Sequence, residues 1–459
     1  MAVNEQKQSL RRPTRNRPKL SLMDAISCNE EIERRYQSGM GKSKVAILFI
    51  WVSLTLSIIL HLNVEAKLSS LLEKEIEAKL KQLNKPAVKT IKSEDGDIID
   101  CVDIYKQPAF DHPALKNHTI KMMPDSLQES EESRRNNASE SESDIFQIWQ
   151  KSGSCPKGTV PIRRILKEDL LRYASLDRFG QKPPAVFKNS THPYNFNLSN
   201  AKIDSFIPEH RSSAYLVTLG YNYIGAQADI NVWNPKIDIP DDFTTAQIWL
   251  KNNNNRDFES VESGWMVNPK LYRDRATRFF AYWTRDSYKS TGCFDHFCPG
   301  FVVTGQVALG AAISPVSSYF GKQYDINVGL FLPDSGNWYL KINNNIPVGY
   351  WPAKILGSLR HSAILVEWGG QVSSSKIKKD KPHTGTAMGS GHFASGRYGS
   401  ANFMRNVRIK DYSQSLKYPE HVNAVADEPY CYSALNDVKY GREPIFYFGG
   451  PGRKPPYCP

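Results

Sequence analysis

The stretch TTAQIWLKNNNNRDFESVESGWMVNP (Thr244–Pro269) decides the fold. Its two flanking runs alternate core-type residues with polar or small ones at every second position, the period of a strand with one buried face. The asparagine tract between them is a turn signal, because Asn bonds its own backbone and tolerates left-handed conformations. The same texture recurs from about Ser212 onward in SAYLVTLG, AQADINVWNP, TRFFAYWT, GFVVTG, YDINVGLFL, NWYLKIN, SAILVEWGG and ANFMRNVRI. Asn-Pro, Pro-Asp and Asp-Ser-Gly turns separate the runs. Many short strands and few helices over roughly 250 residues predict an all-β domain, a β-sandwich or barrel with antiparallel strands because the connections are short.

Upstream, the texture differs. Residues 67–94 place charged and apolar residues at helical spacing and predict an amphipathic helix up to Pro86. Residues 96–124 mix β-branched runs with prolines and read as a small compact module. The acidic, apolar-poor stretch 125–144 predicts a disordered loop. The module resumes at IFQIWQKSGSCPKGTVPIRRI, and KEDLLRYASLDRFGQ (167–181) reads as a helix. A Pro- and Asn-rich linker follows over 182–211, exposed to processing proteases.

The N-terminus carries Val45–Leu60, sixteen uncharged residues after the basic Met40–Lys44 and before Asn63–Ala66. A basic start, a short apolar run and a Val-x-Ala end describe a secretory signal peptide over 40–66. On this reading translation starts at Met40, and residues 1–39, a basic tail, are a gene-model extension. Started at Met1, the segment 45–62 becomes an uncleaved type II signal-anchor. Six cysteines follow the run, an even number suited to an oxidising compartment. Their grouping suggests Cys101–Cys155, Cys293–Cys298 and Cys431–Cys458. Sequons at Asn117, Asn137, Asn189 and Asn197 fit the same route, extracellular or vacuolar. The net charge of +12 is scattered apart from the N-terminal run, and no zinc-finger or RNA-binding pattern accompanies it, so no nucleic-acid partner is expected.

The chemistry-bearing motifs narrow quickly. There is no Gly-x-Ser-x-Gly elbow, no His-Glu-x-x-His, no Walker or dinucleotide glycine pattern and no Cys-x-x-Cys, so neither a metal nor a cofactor is expected. What remains are carboxylates on aromatic-rich strands. Glu262 shares a strand face with Gly264 and Met266; Glu367 shares one with Leu365 and Ala363. A carboxyl pair in a cleft would activate water, because two neighbouring like charges push their pKa values apart. A glycoside hydrolase would also need two carboxylates, but no close-set acidic pair occurs on any predicted strand.

Several long segments resemble the neprosin family of plant secreted proteins. They are GAQADINVWNPKI, SVESGWMVNPKLY, RFFAYWTRDSYKSTGCFDHFCPGFV, GAAISPVSSYFGKQYDI, VEWGGQV and the terminal FYFGGPGRKPPYCP. DCVDIYKQPAFDHPALKNHTIKMMP and IWQKSGSCPKGTVPIRR resemble that family's activation propeptide. The resemblance covers nearly everything from about residue 75 onward. It implies a propeptide over 67–181 that inhibits its own chain and a β-sandwich peptidase over 212–459. It further implies acid activity on proline-containing protein or peptide substrates, cleaved after proline by two glutamates. One of those glutamates maps to Glu262. The other maps to Gln371, where this chain carries an amide, while Glu367 matches a glutamate seen just before Trp-Gly-Gly.

Three readings of Gln371 stay open. Its NH2 donates to the developing oxyanion while Glu262 activates water, as in the glutamine–glutamate pair of the eqolisin peptidases. Alternatively the site is disabled, and the protein binds peptide or cell-wall polymer. In the third, Gly369 and Gly370 form a bulge that brings Glu367 into the site. Trp265, Tyr282, Trp283 and Trp351 are the candidates for lining a proline-accepting cleft. Downstream, Ala394–Arg397 replaces an acidic segment frequent in the family.

Overall fold

The computed structural model describes residues 43–127, 146–173, 175–184, 210–253, 257–377 and 382–459. Most of the predicted acidic loop and linker, residues 1–39, and the sequons at Asn137, Asn189 and Asn197 lie outside them. Two compact units are present, Met1–Glu75 and Ile76–Pro459. Helix α1 (Ser43–Leu83) carries the apolar run and the amphipathic segment, and it stops three residues before Pro86. Among the described residues no helix is long and apolar enough to cross a membrane.

The second unit opens with a three-stranded antiparallel sheet of β1 (Ala87–Lys92), β2 (Ile98–Asp103) and β4 (Thr159–Arg163). Between β2 and β4, the short strand β3 (Phe146–Gln147) pairs instead with β10 (Ile313–Ser314), the two forming a separate two-stranded sheet. Two glutamine amides act as strand substitutes at this docking surface. Gln107 bonds both the N–H and the carbonyl of Val303, and Gln147 does the same to Ala308. Each satisfies backbone groups that burial would otherwise leave orphaned. The predicted helix over 167–181 is not there. It shrinks to one turn, α2 (Lys167–Leu170), and a 3-10 turn at Leu176–Arg178. Leu170, Leu176 and Phe179 are drawn down onto Tyr272 and Phe297, and that anchoring overrides local helix propensity.

The rest is a fourteen-stranded antiparallel sheet curled on itself into a sandwich. In chain order its main strands are β5 (Arg211–Asn231), β6 (Phe243–Asn253), β7 (Phe258–Val267), β8 (Arg278–Thr284), β9 (Val302–Val303), β11 (Asp325–Phe331), β12 (Trp338–Ile342), β13 (Ile346–Trp351), β14 (Ala363–Ser373) and β15 (Asn402–Asp411). The 21-residue β5 belongs to both halves. Its first half pairs with β14, continuing through β6 and β7 to β8; its second half lies between β11 and β15. Apolar residues facing inward from both halves, among them Leu216, Ile248, Val261, Val328 and Leu340, form one core. All three expected disulfides are present.

Candidate active site

Register settles which residues share the outer, concave face of the first half-sheet. Glu262 on β7 lies opposite Trp249 on β6, which lies opposite Glu367 on β14. Two residues along, Gly264, Gln247, Gly369 and Tyr215 form the next row; Met266, Thr245, Gln371 and Ser213 form the one after. Glu262 and Gln371 therefore face the same way, as the period of two requires. The glycines make the rows possible. A Cβ on Gly264 would stand 2.1 Å from the Ala246 carbonyl oxygen, and one on Gly369 2.2 Å from that of Ala214. Close strand approach, rather than flexibility, is why these positions lack side chains.

Glu262 is fully buried and accepts from four donors. Gln247 Nε2 donates to Oε2 at 2.6 Å, while Ser260 Oγ and Tyr288 OH each donate to Oε1 at 2.6 Å. The fourth is Lys182 Nζ, an ion pair with Oε2 in which both side chains are wholly buried. A buried carboxylate survives only with such partners. Burial works to raise the Glu262 carboxyl, but the Lys182 ammonium and the donated hydrogen bonds outweigh it and hold it below the ordinary value. Burial also pushes Lys182 down, to about 8, against the pull of Glu262. Both partners are thus ionised from mild acid to neutrality.

The ammonium sits in an aromatic cage, 4.6, 5.2 and 5.5 Å from the ring centroids of Tyr282, Tyr288 and Phe294. Tyr282 is directly across from Glu262 on β8, and its hydroxyl accepts from the Lys182 N–H at 3.3 Å. Tyr288 comes from a tight loop whose Ser287 and Tyr288 adopt left-handed φ of 59° and 65°. The Asp286 carboxylate fixes that loop by accepting from Ser290 and Thr291. Next along the chain, Pro183 presents its carbonyl to Arg211 Nη2. The guanidinium of Arg211 lies 4.6 Å from the Tyr288 ring.

The predicted residues divide. Glu262 and Tyr282 meet at the ion pair. Gln371 donates to Ser213 Oγ at 3.1 Å, and its carbonyl oxygen is buried without a hydrogen-bond partner among the described residues. Glu367 is bound to Lys251 at 2.5 Å. The bulge reading fails: register runs unbroken from Leu365 to Ser373 against both neighbours, and the one shift lies earlier, between Ala363 and Leu365. Trp265, Trp283 and Trp351 do not line this face. Trp265 and Trp283 alternate away from Glu262 and Tyr282, and all three are packed in the core between the half-sheets.

Sequence reasoning missed Lys182, Arg211, Gln247, Ser260 and Tyr288. Ser260 was findable, being two residues from Glu262 on one face, and Gln247 was a polar residue within an apolar run. Nothing local marks Lys182, which is 80 residues from its partner.

Comparison with known proteins assigns the two parts of the chain. The Neprosin family model matches residues 240–451, and the neprosin activation peptide model matches residues 90–206. Similar solved structures include scytalido-glutamic peptidase with a transition state analog inhibitor, at 8% identity, 52% of this chain, 97% of that chain and a TM-score of 0.29. Another is SCP-B of the Eqolisin family in a complex with the tripeptide Ala-Ile-His, at 8% identity, with the same coverage and a TM-score of 0.27. A beta-porphyranase from the human gut bacterium Bacteroides plebeius matches at 6% identity over 33% of this chain and 53% of that chain, with a TM-score of 0.19.

Proposed function

The chain belongs to the neprosin family and carries that family's activation peptide ahead of its β-sandwich domain, and on this premise we propose that it is a latent, acid-activated endopeptidase cleaving after proline. One observation carries the reading: the most heavily hydrogen-bonded carboxylate on the concave face, Glu262, is plugged by Lys182 from the end of the activation segment. With the plug in place no water can reach Oε2. When it leaves, Glu262 is the base that takes a proton from water, held in position by Gln247, Ser260 and Tyr288. Removing the ammonium also removes the strongest influence lowering its pKa, so burial moves the carboxyl upward and it gains the capacity to return the proton to the leaving amine.

The route is secretory, to the extracellular space or vacuole, with a type II anchor as the alternative if residues 45–62 stay uncleaved. The three disulfides support an oxidising destination. Asn117, an exposed residue at φ 62°, is the described sequon available for glycosylation. Domain limits at 67–181, 182–211 and 212–459 follow the same plan, although Lys182 and Pro183 belong structurally to the site.

A second reading, a non-catalytic module that binds peptide or wall polymer, draws on Gln371 standing where a second carboxylate is expected. One experiment separates the two. The full chain is incubated at about pH 4, near the ordinary glutamate value, and loss of the propeptide and cleavage of a proline-rich peptide are followed. Turnover that vanishes in Glu262→Gln supports the peptidase. Turnover seen only after Gln371→Glu supports the binding module, and turnover that persists in Glu262→Gln refutes the assignment of the base.

A further inference from the structure

Resting on the peptidase reading, a single carboxylate leaves the electrophilic half of the reaction without a donor. Gln371 fills it at most in part, because one of the two hydrogens of its NH2 is given to Ser213 Oγ. The concave face nevertheless holds a patch of buried polar atoms lacking hydrogen-bond partners among the described residues: Arg211 Nε and Nη1, Thr245 Oγ1, Gln247 Oε1 and Gln371 Oε1. Buried polar groups are nearly always satisfied, so unsatisfied ones gathered on one face mark a place where something else binds. Arg211 is the only cation among these atoms. Its side chain is fully buried, it is a ring's width from Glu262 across Tyr288, and one of its NH2 groups already holds a peptide carbonyl, that of Pro183.

We propose that Arg211 is a catalytic residue that binds and polarises the scissile carbonyl, the electrophilic role left open by the amide at Gln371. The latent chain displays the contact with its own backbone, the Pro183 carbonyl standing where a substrate carbonyl is to lie. In the reaction, Glu262 removes a proton from water, the water oxygen bonds to the carbonyl carbon, and the C–O electron pair shifts to an oxyanion held by the Arg211 N–H groups. The C–N bond then breaks, and the nitrogen takes the proton from Glu262. Atoms and charge balance with water as the only co-reactant, and Arg211 keeps its proton throughout, because a guanidinium is not deprotonated in acid even where burial lowers its pKa. A planar fork fixed beside an aromatic ring meets the oxyanion with little reorganisation.

The test uses full-length chain processed in acid, with Arg211→Met and Arg211→Lys beside wild type. Turnover of a proline-containing peptide is expected to fall by about 100- to 1,000-fold in Arg211→Met, the loss typical of removing an oxyanion donor. A proline-ended peptide aldehyde, whose hydrate mimics the tetrahedral state, is expected to lose far more affinity than the matching peptide amide. Arg211→Lys is expected to recover part of both. A merely structural role would weaken aldehyde and amide equally, so equal losses overturn the proposal, as does unchanged kcat in both variants. If Arg211→Met fails to fold, the aldehyde-to-amide ratio in Arg211→Lys decides alone: an unchanged ratio overturns it. Wild-type protein without turnover strikes at the peptidase reading itself, whereas active wild type with indifferent Arg211 variants strikes at Arg211 only.

Discussion

Replacing Lys182 with methionine removes the ammonium but keeps the length of the side chain within its cage of Tyr282, Tyr288 and Phe294. Breaking a buried ion pair by deleting one partner costs about 3–5 kcal/mol, chiefly because the other charge is stranded. Here Glu262 retains Gln247, Ser260 and Tyr288 as donors, so the low end, about 3 kcal/mol, applies. At about 1.4 kcal/mol per decade, the open population of the activation segment rises roughly 100-fold. The assay is peptide cleavage by unprocessed Lys182→Met chain at about pH 6, above the ordinary glutamate value, where the wild-type ion pair is intact. Basal activity should rise by about two orders of magnitude, and self-processing should begin at a higher pH than in wild type. A Lys182→Met chain as silent as wild type, with the processed form fully active, would refute the idea that the ion pair maintains latency.

Acid should loosen the activation segment in two stages. His118, which bonds Tyr350 OH at 2.8 Å, is held below its ordinary 6.5 by burial and by Lys354 and Lys121. A depressed base stabilises docking above 6.5 and loses that contribution as pH falls below it. Asp97 is pinned to Arg278 at 2.6 Å and Arg163 at 2.9 Å; burial opposes, but these cations win and depress its pKa. Like Glu262, it contributes above its ordinary value and loses grip as pH falls through the depressed one. Proteolytic susceptibility of the full chain against pH should show both steps, and Asp97→Asn should shift release of the propeptide upward in pH without changing kcat of the processed enzyme. Gln371→Glu should raise turnover and sharpen the acid limb of the pH–rate profile, since it adds a second titrating group on the concave face. Gly369→Ala should lower thermal stability by about 1–3 kcal/mol or more, because its Cβ meets backbone rather than a yielding side chain; a melt indistinguishable from wild type would contradict the close strand approach.

Strand identity was readable because a half-buried strand writes its period into the chain. Sequence proximity paired the cysteines, but only strand register brought Glu262 and Gln371 to one face. The cleft aromatics were harder: Tyr282 and Trp283 are neighbours and look alike in composition, yet only Tyr282 shares the face of Glu262, and Trp283 packs in the core. The helix expected over 167–181 failed for a similar reason, since docking of Leu170 and Phe179 outweighed local preference. The two glycines after Trp368 read as a bulge, but the strand runs through them in register, Gly369 against the Ala214 carbonyl and Gly370 against Met388 and Phe448.

The sequence by itself determined the all-β architecture and the strand that carries the buried carboxylate. These are local properties, carried by alternation and short motifs. Tertiary structure decided who surrounds Glu262. Lys182 arrives from a segment 80 residues away, Gln247 from the neighbouring strand, Tyr288 from a left-handed loop and Arg211 from the strand shared by both half-sheets. Each encounter depends on strand register and on burial of charges that must find partners once water is excluded, and neither is written in the spacing of residues along the chain.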